Sequence, residues 1–294
     1  MPAKKLSGFR FSLILLYLIF SAILVYYIYD GWSYYLADLT ARPRMDSHLN
    51  LKPGGMRGHG LGMVGSFMML LLLLYSLRKR TNMLKWLGSV PSWLEFHIFL
   101  GIMGPLLVIL HSSFKLNGIV SLSFWSMIAV ALSGVLGRYI YAQIPRGIQG
   151  NELSLQEVET MNQQLNRILR EKFSLDDYQL KRLQSIGMQW DESKQSLTRV
   201  LMAILLDDFL FIIKRPFLRR RIKKIVRMSG RDLKEIQMLS RQKVVLQRRL
   251  TLWQRIHKIF HNWHIIHKPF AVIMYLIMIV HVTIAILFGY RWIF

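Results

Sequence analysis

Long apolar runs alternate with short polar connections along this chain. Five runs have the length of roughly 17 to 25 residues that a helix needs to cross the hydrocarbon layer of a membrane. They extend from Phe11 to Tyr29, Gly60 to Leu77, Trp93 to Ser112, Ile119 to Tyr141 and Phe270 to Tyr290. The pattern predicts an all-α membrane protein with five transmembrane helices. The first run is too long for the apolar region of a signal peptide and has no small-residue cleavage site after it, so we interpret it as a retained helix.

The remaining part of the chain, between the fourth and fifth runs, is basic and polar. It has helical periodicity from Leu155 to Phe173 and from Lys234 to Phe260, with almost no Gly or Pro inside those stretches. We therefore expect three parts: transmembrane helices 1–4 in residues 1–142, a helical cytoplasmic insertion in residues 143–262, and transmembrane helix 5 in residues 263–294.

One segment of the insertion, Leu197 to Ile213, is apolar enough to suggest a sixth crossing. It contains Arg199, Asp207 and Asp208, and a crossing would place two carboxylates in lipid. It would also export the basic cluster that follows to the outer face. We therefore interpret this segment as an interfacial or packed helix.

Composition and charge exclude several types of partner and cofactor. Of the 294 residues 53% are hydrophobic, and the net charge is +23. Because the basic residues lie between apolar runs, retention on one face of a membrane and attraction to anionic lipid explain them better than nucleic-acid binding. The chain has no cysteine, which excludes disulfides, thiolate iron–sulfur clusters and covalently attached haem.

Basic residues also predict the orientation. They precede the first run, join the second run to the third and follow the fourth: Lys4, Lys5, Arg10, Arg78, Lys79, Arg80, Lys85, Arg138 and Arg146. The positive-inside rule then places the N-terminus inside and the C-terminus outside a cytoplasmic (inner) membrane. The outer loop from Asp30 to His59 has some Arg and Lys of its own, so the rule holds as a bias.

Four of the nine histidines form two pairs with equal spacing. His97 and His111 lie in the third apolar run, and His267 and His281 lie at the start of and within the fifth. A spacing of fourteen residues brings both members to nearly one helix face, about 21 Å apart along the axis. The predicted orientation makes the two helices parallel, so His97 matches His267 in depth near the inside, and His111 matches His281 near the outside.

Intramembrane histidines are functional candidates, and imidazole is a good ligand for haem iron. The pattern therefore predicts two non-covalent b-type haems, each held by two histidines. Gly101, Gly104, Gly134 and Gly137 are candidates for close approach of a flat macrocycle, with ordinary small-residue helix packing as the alternative. Arg138, Arg57 and Lys115 are candidates for pairing with haem propionates, with solvated loop charges as the alternative.

The four histidines and the helices around them, roughly Phe96 to Tyr141 and His267 to Gly289, resemble the transmembrane domain of ferric reductases and NADPH oxidases. A similar spacing occurs in the cytochrome b of quinol-oxidising bc complexes. The resemblance implies transmembrane electron transfer. The chain departs from the reductase plan, because a sixth helix and the flavin and nicotinamide domains are absent and the connection before the fifth helix is enlarged.

The expected function is therefore that of the membrane subunit of an oxidoreductase. It would link a quinol or a cytoplasmic donor to an extracytoplasmic acceptor, with membrane lipids, redox subunits and a quinone as partners and no nucleic acid. The main alternative is a haem-free transporter or scaffold whose histidines relay protons or bind a metal. A third hypothesis is direct reduction of oxygen or ferric iron at the outer haem.

Two weaker motifs are set aside. Gly60, Gly62 and Gly65 match a GxGxxG pattern, but they lie in an apolar helix without a preceding strand. His257, His261 and His264 share one helix face and could bind a metal, although a surface helix beside the haem is the better interpretation.

Overall fold

A computed structural model describes residues 8–81, 84–115, 118–144, 153–184, 196–226, 228 and 230–288. These residues form helices joined by turns, with no strand among them. The long helices are α1 (Gly8–Asp30), α4 (Met56–Arg80), α5 (Val90–Ser112), α6 (Ile119–Gln143), α7 (Leu155–Phe173), α9 (Leu197–Val226), α10 (Gly230–Thr251) and α11 (Trp253–Leu287). The short helices are α2 (Trp32–Leu36), α3 (His48–Leu51) and α8 (Asp177–Gln184).

Five helices are long and apolar enough to cross a membrane: α1, α4, α5, α6 and α11. Helices suit this environment because all their backbone hydrogen bonds close within the segment. Large apolar side chains of α1 point outwards, including Phe11 with 65% and Leu18 with 63% of its surface exposed, as lipid-facing residues do. The predicted all-α, multi-pass membrane architecture is confirmed.

The fifth membrane helix is longer than its apolar run. The prediction began it at Phe270, whereas α11 begins at Trp253 and has 35 residues. Polar residues such as Arg255, Lys258 and His261 continue the helix beyond the apolar part, so the start of the apolar run marks a change of environment and not a helix end. The last predicted residues, up to Tyr290, extend beyond the described part of the helix. The predicted helix from Lys234 to Phe260 is divided at Leu252, between α10 and α11.

The chain divides into two compact units. Unit 1 is Met1–Leu136 with Ile265–Phe294, and unit 2 is Gly137–His264. Both divisions fall inside continuous helices, α6 and α11.

Unit 1 is built around the contact of α4 with α5. Gly65 makes close approach possible: a Cβ added there would lie 2.8 Å from the Val108 side chain and 3.1 Å from the Gly104 carbonyl oxygen. Phe99 of α5 is 2% exposed and receives the ring edges of Tyr17 and Phe20 from α1. This packing fixes the helix that carries His97 and His111.

The connection between α1 and α4 forms hydrogen bonds with the end of α5. Arg42 is 6% exposed and donates to the backbone carbonyl oxygens of Tyr35, Ala37 and Ser113. The Ser113 hydroxyl donates to the Leu51 carbonyl oxygen at 2.6 Å. The loop therefore forms an ordered cover over the end of the helix that contains His111.

Unit 2 has its own apolar core between α7, α8, α9 and α10. Leu169 and Ile236 are fully buried in it, and Lys172 of α7 forms an ion pair with Glu235 of α10. A capping box begins α7, since the Ser154 hydroxyl accepts from the Glu157 amide while the Glu157 carboxylate accepts from the Ser154 amide.

The two carboxylates that argued against a sixth crossing lie within unit 2. Arg248, whose side chain is 2% exposed, bonds Asp207 at 2.9 Å and Asp208 at 3.0 Å. Arg241 bonds Asp208 at 2.7 Å, and the Tyr139 hydroxyl donates to it at 2.7 Å. The carboxylates of this segment thus pair within unit 2, and α9 is not among the candidate membrane spans of the described chain.

Candidate functional site

The four histidines form two pairs, which we call inner and outer after the predicted orientation. The inner pair consists of His97 on α5 and His267 on α11. The Nδ1 atom of His97 lies 3.3 Å from the Leu72 carbonyl oxygen on α4, and a carbonyl can only accept, so this nitrogen donates. The two imidazoles are within electrostatic range of each other. The Tyr75 ring lies 5.0 Å from the ring of His97. The two imidazoles therefore influence each other electrostatically although their helices are far apart in sequence.

His267 is oriented by Ser133 of α6. The Ser133 hydroxyl donates to the Val130 carbonyl oxygen at 2.9 Å, so its oxygen accepts from His267 Nδ1 at 2.6 Å. A Cβ added at Gly134 would lie 3.9 Å from the His267 ring, which is ordinary contact. An imidazole that donates through Nδ1 keeps its lone pair on Nε2, which is the form a metal binds.

The outer histidine pair consists of His111 on α5 and His281 on α11, which also lie within electrostatic range of each other. His111 Nδ1 donates to the Gly58 carbonyl oxygen of α4 at 2.8 Å. The ring lies flat against Gly62, where an added Cβ would be 2.5 Å from Nδ1. No side chain can occupy this space, so α4 both orients the ring and leaves room for it.

A cavity of about 790 Å³ opens beside the outer pair. His111 and His281 both line it, together with His59 and Lys115. Its remaining wall is mainly apolar and consists of side chains such as Phe67, Phe124, Met127, Met274, Met278 and Ile279. A space of this size and lining suits a large flat apolar group that two imidazoles can ligate, with a basic side chain at its edge.

The predicted glycines differ in what lies beside them. An added Cβ at Gly101 would meet Leu72 at 3.8 Å, so Gly101, like Gly134, has some room. At Gly104 the neighbours are Met69 Sδ at 3.3 Å and the Gly65 carbonyl oxygen at 3.4 Å, which is helix packing between α4 and α5. At Gly137 the Trp263 ring would be 2.1 Å away. Protein atoms therefore make the close approaches at Gly104 and Gly137.

The three candidate basic residues have different contacts. Lys115 lines the outer cavity. Arg57 forms an ion pair with Asp30, and its guanidinium lies 6.0 Å from the Tyr27 ring. Arg138 lies 5.6 Å from the ring of Tyr141, one turn further along its helix. Of these side chains, Lys115 is the one that borders the space beside the histidines.

The described residues contain no group of three or more His, Asp or Glu side chains that could hold a metal ion. His257 and His264 each bond a carbonyl oxygen of their own helix, that of Trp253 at 2.8 Å and that of Phe260 at 3.1 Å. A haem iron held by two imidazoles needs no third protein ligand. The metal interpretation of His257, His261 and His264 has no support in their arrangement.

The supporting residues of the site were not identified in the sequence. Gly58, Gly62 and Leu72 of α4, and Ser133 of α6, contact three of the four histidines. One signal was present: Gly58, Gly62 and Gly65 repeat at helical spacing and mark a face that accepts another helix closely. The carbonyl partners have no signal, because every residue has a carbonyl group.

No known protein family, curated protein or solved structure matches the chain. The candidate function therefore depends on the geometry of the histidines alone.

Proposed function

We propose that the chain is the membrane subunit of a redox complex and carries electrons across the bilayer between two b-type haems. His97 and His267 would ligate the inner haem, and His111 and His281 the outer one. A bis-histidyl b haem supplies a reversible one-electron iron couple with no open coordination position. Electron transfer is then favoured over oxygen chemistry at iron.

The observation that carries this proposal is the setting of His111. Its Nδ1 proton is held by the Gly58 carbonyl oxygen, and its ring borders a cavity of about 790 Å³ that His281 also lines. A histidine that serves only to pack would have no need of an apolar space of this size beside it. A proton relay would need polar partners or water along its path, whereas this wall is mainly apolar.

The inner pair supports the same proposal through the same type of contact. His97 donates through Nδ1 to a carbonyl oxygen and His267 to a hydroxyl oxygen. These bonds raise the basicity of the ring and fix its orientation, as acceptors behind metal-bound histidines commonly do. Equal spacing of fourteen residues on α5 and α11 separates the two histidine pairs by roughly 21 Å along the helices, so they would hold one haem near each membrane surface.

The proposal includes an orientation and partners. Basic residues beside α1, α4 and α6 favour a cytoplasmic N-terminus and an extracytoplasmic C-terminus in an inner membrane. Electrons would come from a quinol or a cytoplasmic subunit and leave to an extracytoplasmic redox partner. Within the complex, Lys115 at the edge of the outer cavity would bind a haem propionate.

Histidine substitutions test the assignment. In purified protein, His111→Ala and His281→Ala should each halve the haem content measured as pyridine haemochrome, and the double variant should lose no more than either single one. The matched control is His261→Ala, which removes an exposed imidazole from α11 and should retain all haem. Unchanged haem content in His111→Ala would refute the proposal.

A further inference from the structure

Helix α9 of unit 2 has two apolar faces. One is buried in the unit: Val200 and Ile204 are each 1% exposed, and Ile222 and Val226 are 4% and 5% exposed. The other is open: Met202, Leu206, Phe209 and Phe217 are 56%, 51%, 62% and 55% exposed. A soluble surface helix needs only the first face, so the second calls for a separate explanation.

The open residues form a stripe on one side of the helix among the described side chains. At about 100° per residue, Met202, Leu206, Phe209 and Phe217 fall within an arc of roughly 80°, opposite the buried face. Fifteen residues separate the first from the last, which gives the stripe a length of about 22 Å. An arrangement of large side chains along one line is a docking face and not a set of scattered surface residues.

Basic residues lie beyond both ends of this stripe. Arg199 precedes it, and Arg220 and Lys224 follow it, all three exposed and on the same side of the helix. Arg221 and Lys223 are exposed beside them. The acidic residues of α9, Asp207 and Asp208, lie towards the buried face and are paired with Arg241 and Arg248. The open face is therefore apolar in the middle and cationic at its ends.

Chain connectivity tethers unit 2 to candidate membrane helices at both of its ends. The chain enters unit 2 through α6 and leaves it through α11, and both helices are candidate membrane spans. A unit fastened at both ends pays little entropy to rest on the surface to which it is tethered. Apolar side chains flanked by Arg and Lys match the interface of a bilayer that contains anionic lipid.

We infer that the open face of α9 docks on the anionic leaflet of the membrane. Met202, Leu206, Phe209 and Phe217 enter the boundary between headgroups and acyl chains, and Arg199, Arg220 and Lys224 bind lipid phosphates. This docking does not depend on haem, so it can fail while the proposed electron transfer stands, and the reverse.

The absence of cysteine from the chain makes a direct test possible, because a single introduced cysteine carries the only label. The full chain is reconstituted in vesicles of phosphatidylcholine, with or without phosphatidylglycerol. Leu206→Cys and Phe209→Cys place a fluorophore on the open face, and Gln163→Cys places it on an exposed position of α7 as the control. Quenching by a nitroxide lipid is compared with quenching by aqueous iodide.

In anionic vesicles, we expect the labels at positions 206 and 209 to be quenched by the nitroxide lipid and protected from iodide. The label at position 163 should behave in the opposite way. Arg220→Gln with Lys224→Gln should lower the ratio of docked to undocked labels roughly thirtyfold, since each basic residue near an anionic surface contributes about fivefold. Arg167→Gln with Lys181→Gln removes the same charge from exposed positions elsewhere in unit 2 and should leave the ratio unchanged.

Three results would overturn the inference. Iodide quenching of both open-face labels in anionic vesicles would show a free surface. Protection from both quenchers would show that a protein, either a partner or a second copy, covers the face. Equal lipid quenching with and without phosphatidylglycerol would show that anionic lipid has no part in the docking.

Discussion

Polar side chains within the helices have different hydrogen-bonding partners in the two units. In unit 1, His111 uses Nδ1 to bond a carbonyl oxygen, and the ring borders an apolar cavity. In unit 2, Arg248 bonds Asp207, Asp208 and Gln143 with its terminal nitrogens, and these bonds hold α9, α10 and the end of α6 together. His111 therefore keeps Nε2 as a possible ligand, whereas Arg248, Asp207 and Asp208 pair with one another. Polar residues in an apolar helix thus indicate a site only when part of their bonding capacity is directed to a space.

The largest effect should come from filling the space that His111 occupies. Gly62→Leu adds a side chain whose Cβ would be 2.5 Å from the imidazole, so His111 must leave its position. We expect loss of the outer haem with retention of the inner one, measured as a halved haemochrome yield. Gly8→Leu is the control, because nothing lies within 4 Å of an added Cβ there.

Retention of both haems in Gly62→Leu would contradict the contrast drawn between the two units. It would show that the contact of α4 with the His111 ring does not matter to the cofactor.

The next effect concerns the charge network of unit 2. Arg248→Met leaves Asp207 and Asp208 with Arg241 as the remaining cation, so the free energy of opening α9 and α10 should fall by roughly 3 kcal/mol. Hydrogen exchange of their amides measures this. Arg167→Met, at a side chain that is 77% exposed, should change nothing.

This second prediction also has a pH dependence. Burial alone would raise the pKa of Asp208, but hydrogen bonds from Arg248 and Tyr139 outweigh it and hold the pKa below its usual value. The stabilisation is therefore present above the usual pKa and is lost as the pH falls through the lowered one. After correction for intrinsic exchange rates, the free energy of opening should fall at low pH in the wild type and fall less in Arg248→Met, which would sharpen the contrast with unit 1.

A smaller effect of opposite sign is expected at Lys243. This residue of α10 is 3% exposed, and its Nζ has no hydrogen-bond partner among the described residues. Burial, with the charge of Arg170, lowers its pKa to about 8. Because the folded state binds this proton less tightly, stability should rise as the pH increases from about 8 to the usual 10.5.

Lys243→Met keeps the length of the side chain and removes the charge. It should slow exchange in α10 at pH 7, with a gain on the order of 2 kcal/mol, and abolish the rise in stability above pH 8. A pH dependence that persists in the variant would assign it to another group.

The smallest effect is expected at the inner pair. Ser133→Ala removes the hydroxyl that accepts from His267 Nδ1, without removing the ligand itself. Loss of such a supporting bond typically weakens metal binding by about 10- to 100-fold. Haem retention during dilution should fall for the inner site and not for the outer one. Ser12→Ala, which removes a hydroxyl bonded only within α1, is the control.

The sequence predicts those parts of the fold that hydropathy alone decides. Apolar runs of sufficient length predicted the five candidate membrane helices, and the helix that contains Asp207 and Asp208 is not among the candidate spans of the described residues. The start of α11 at Trp253 was missed, because a helix continues where hydropathy changes. The division at Leu252 was missed, because no Gly or Pro marks it.

The candidate site followed from the sequence only in part. The spacing of His97, His111, His267 and His281 predicts two pairs of haem ligands, and this pairing stays a prediction. The residues that orient them depend on the docking of α4 and α6, which a single sequence does not determine. Gly104 and Gly137 were selected for a macrocycle, yet their near neighbours are Met69 and Trp263. Glycine in a membrane helix indicates close approach without indicating of what.

Haem stoichiometry of the purified full-length chain tests the central claim most directly. The account predicts two b-type haems per chain with the absorption bands of bis-histidyl iron. A chain that folds, retains its helical content and contains no haem would contradict it.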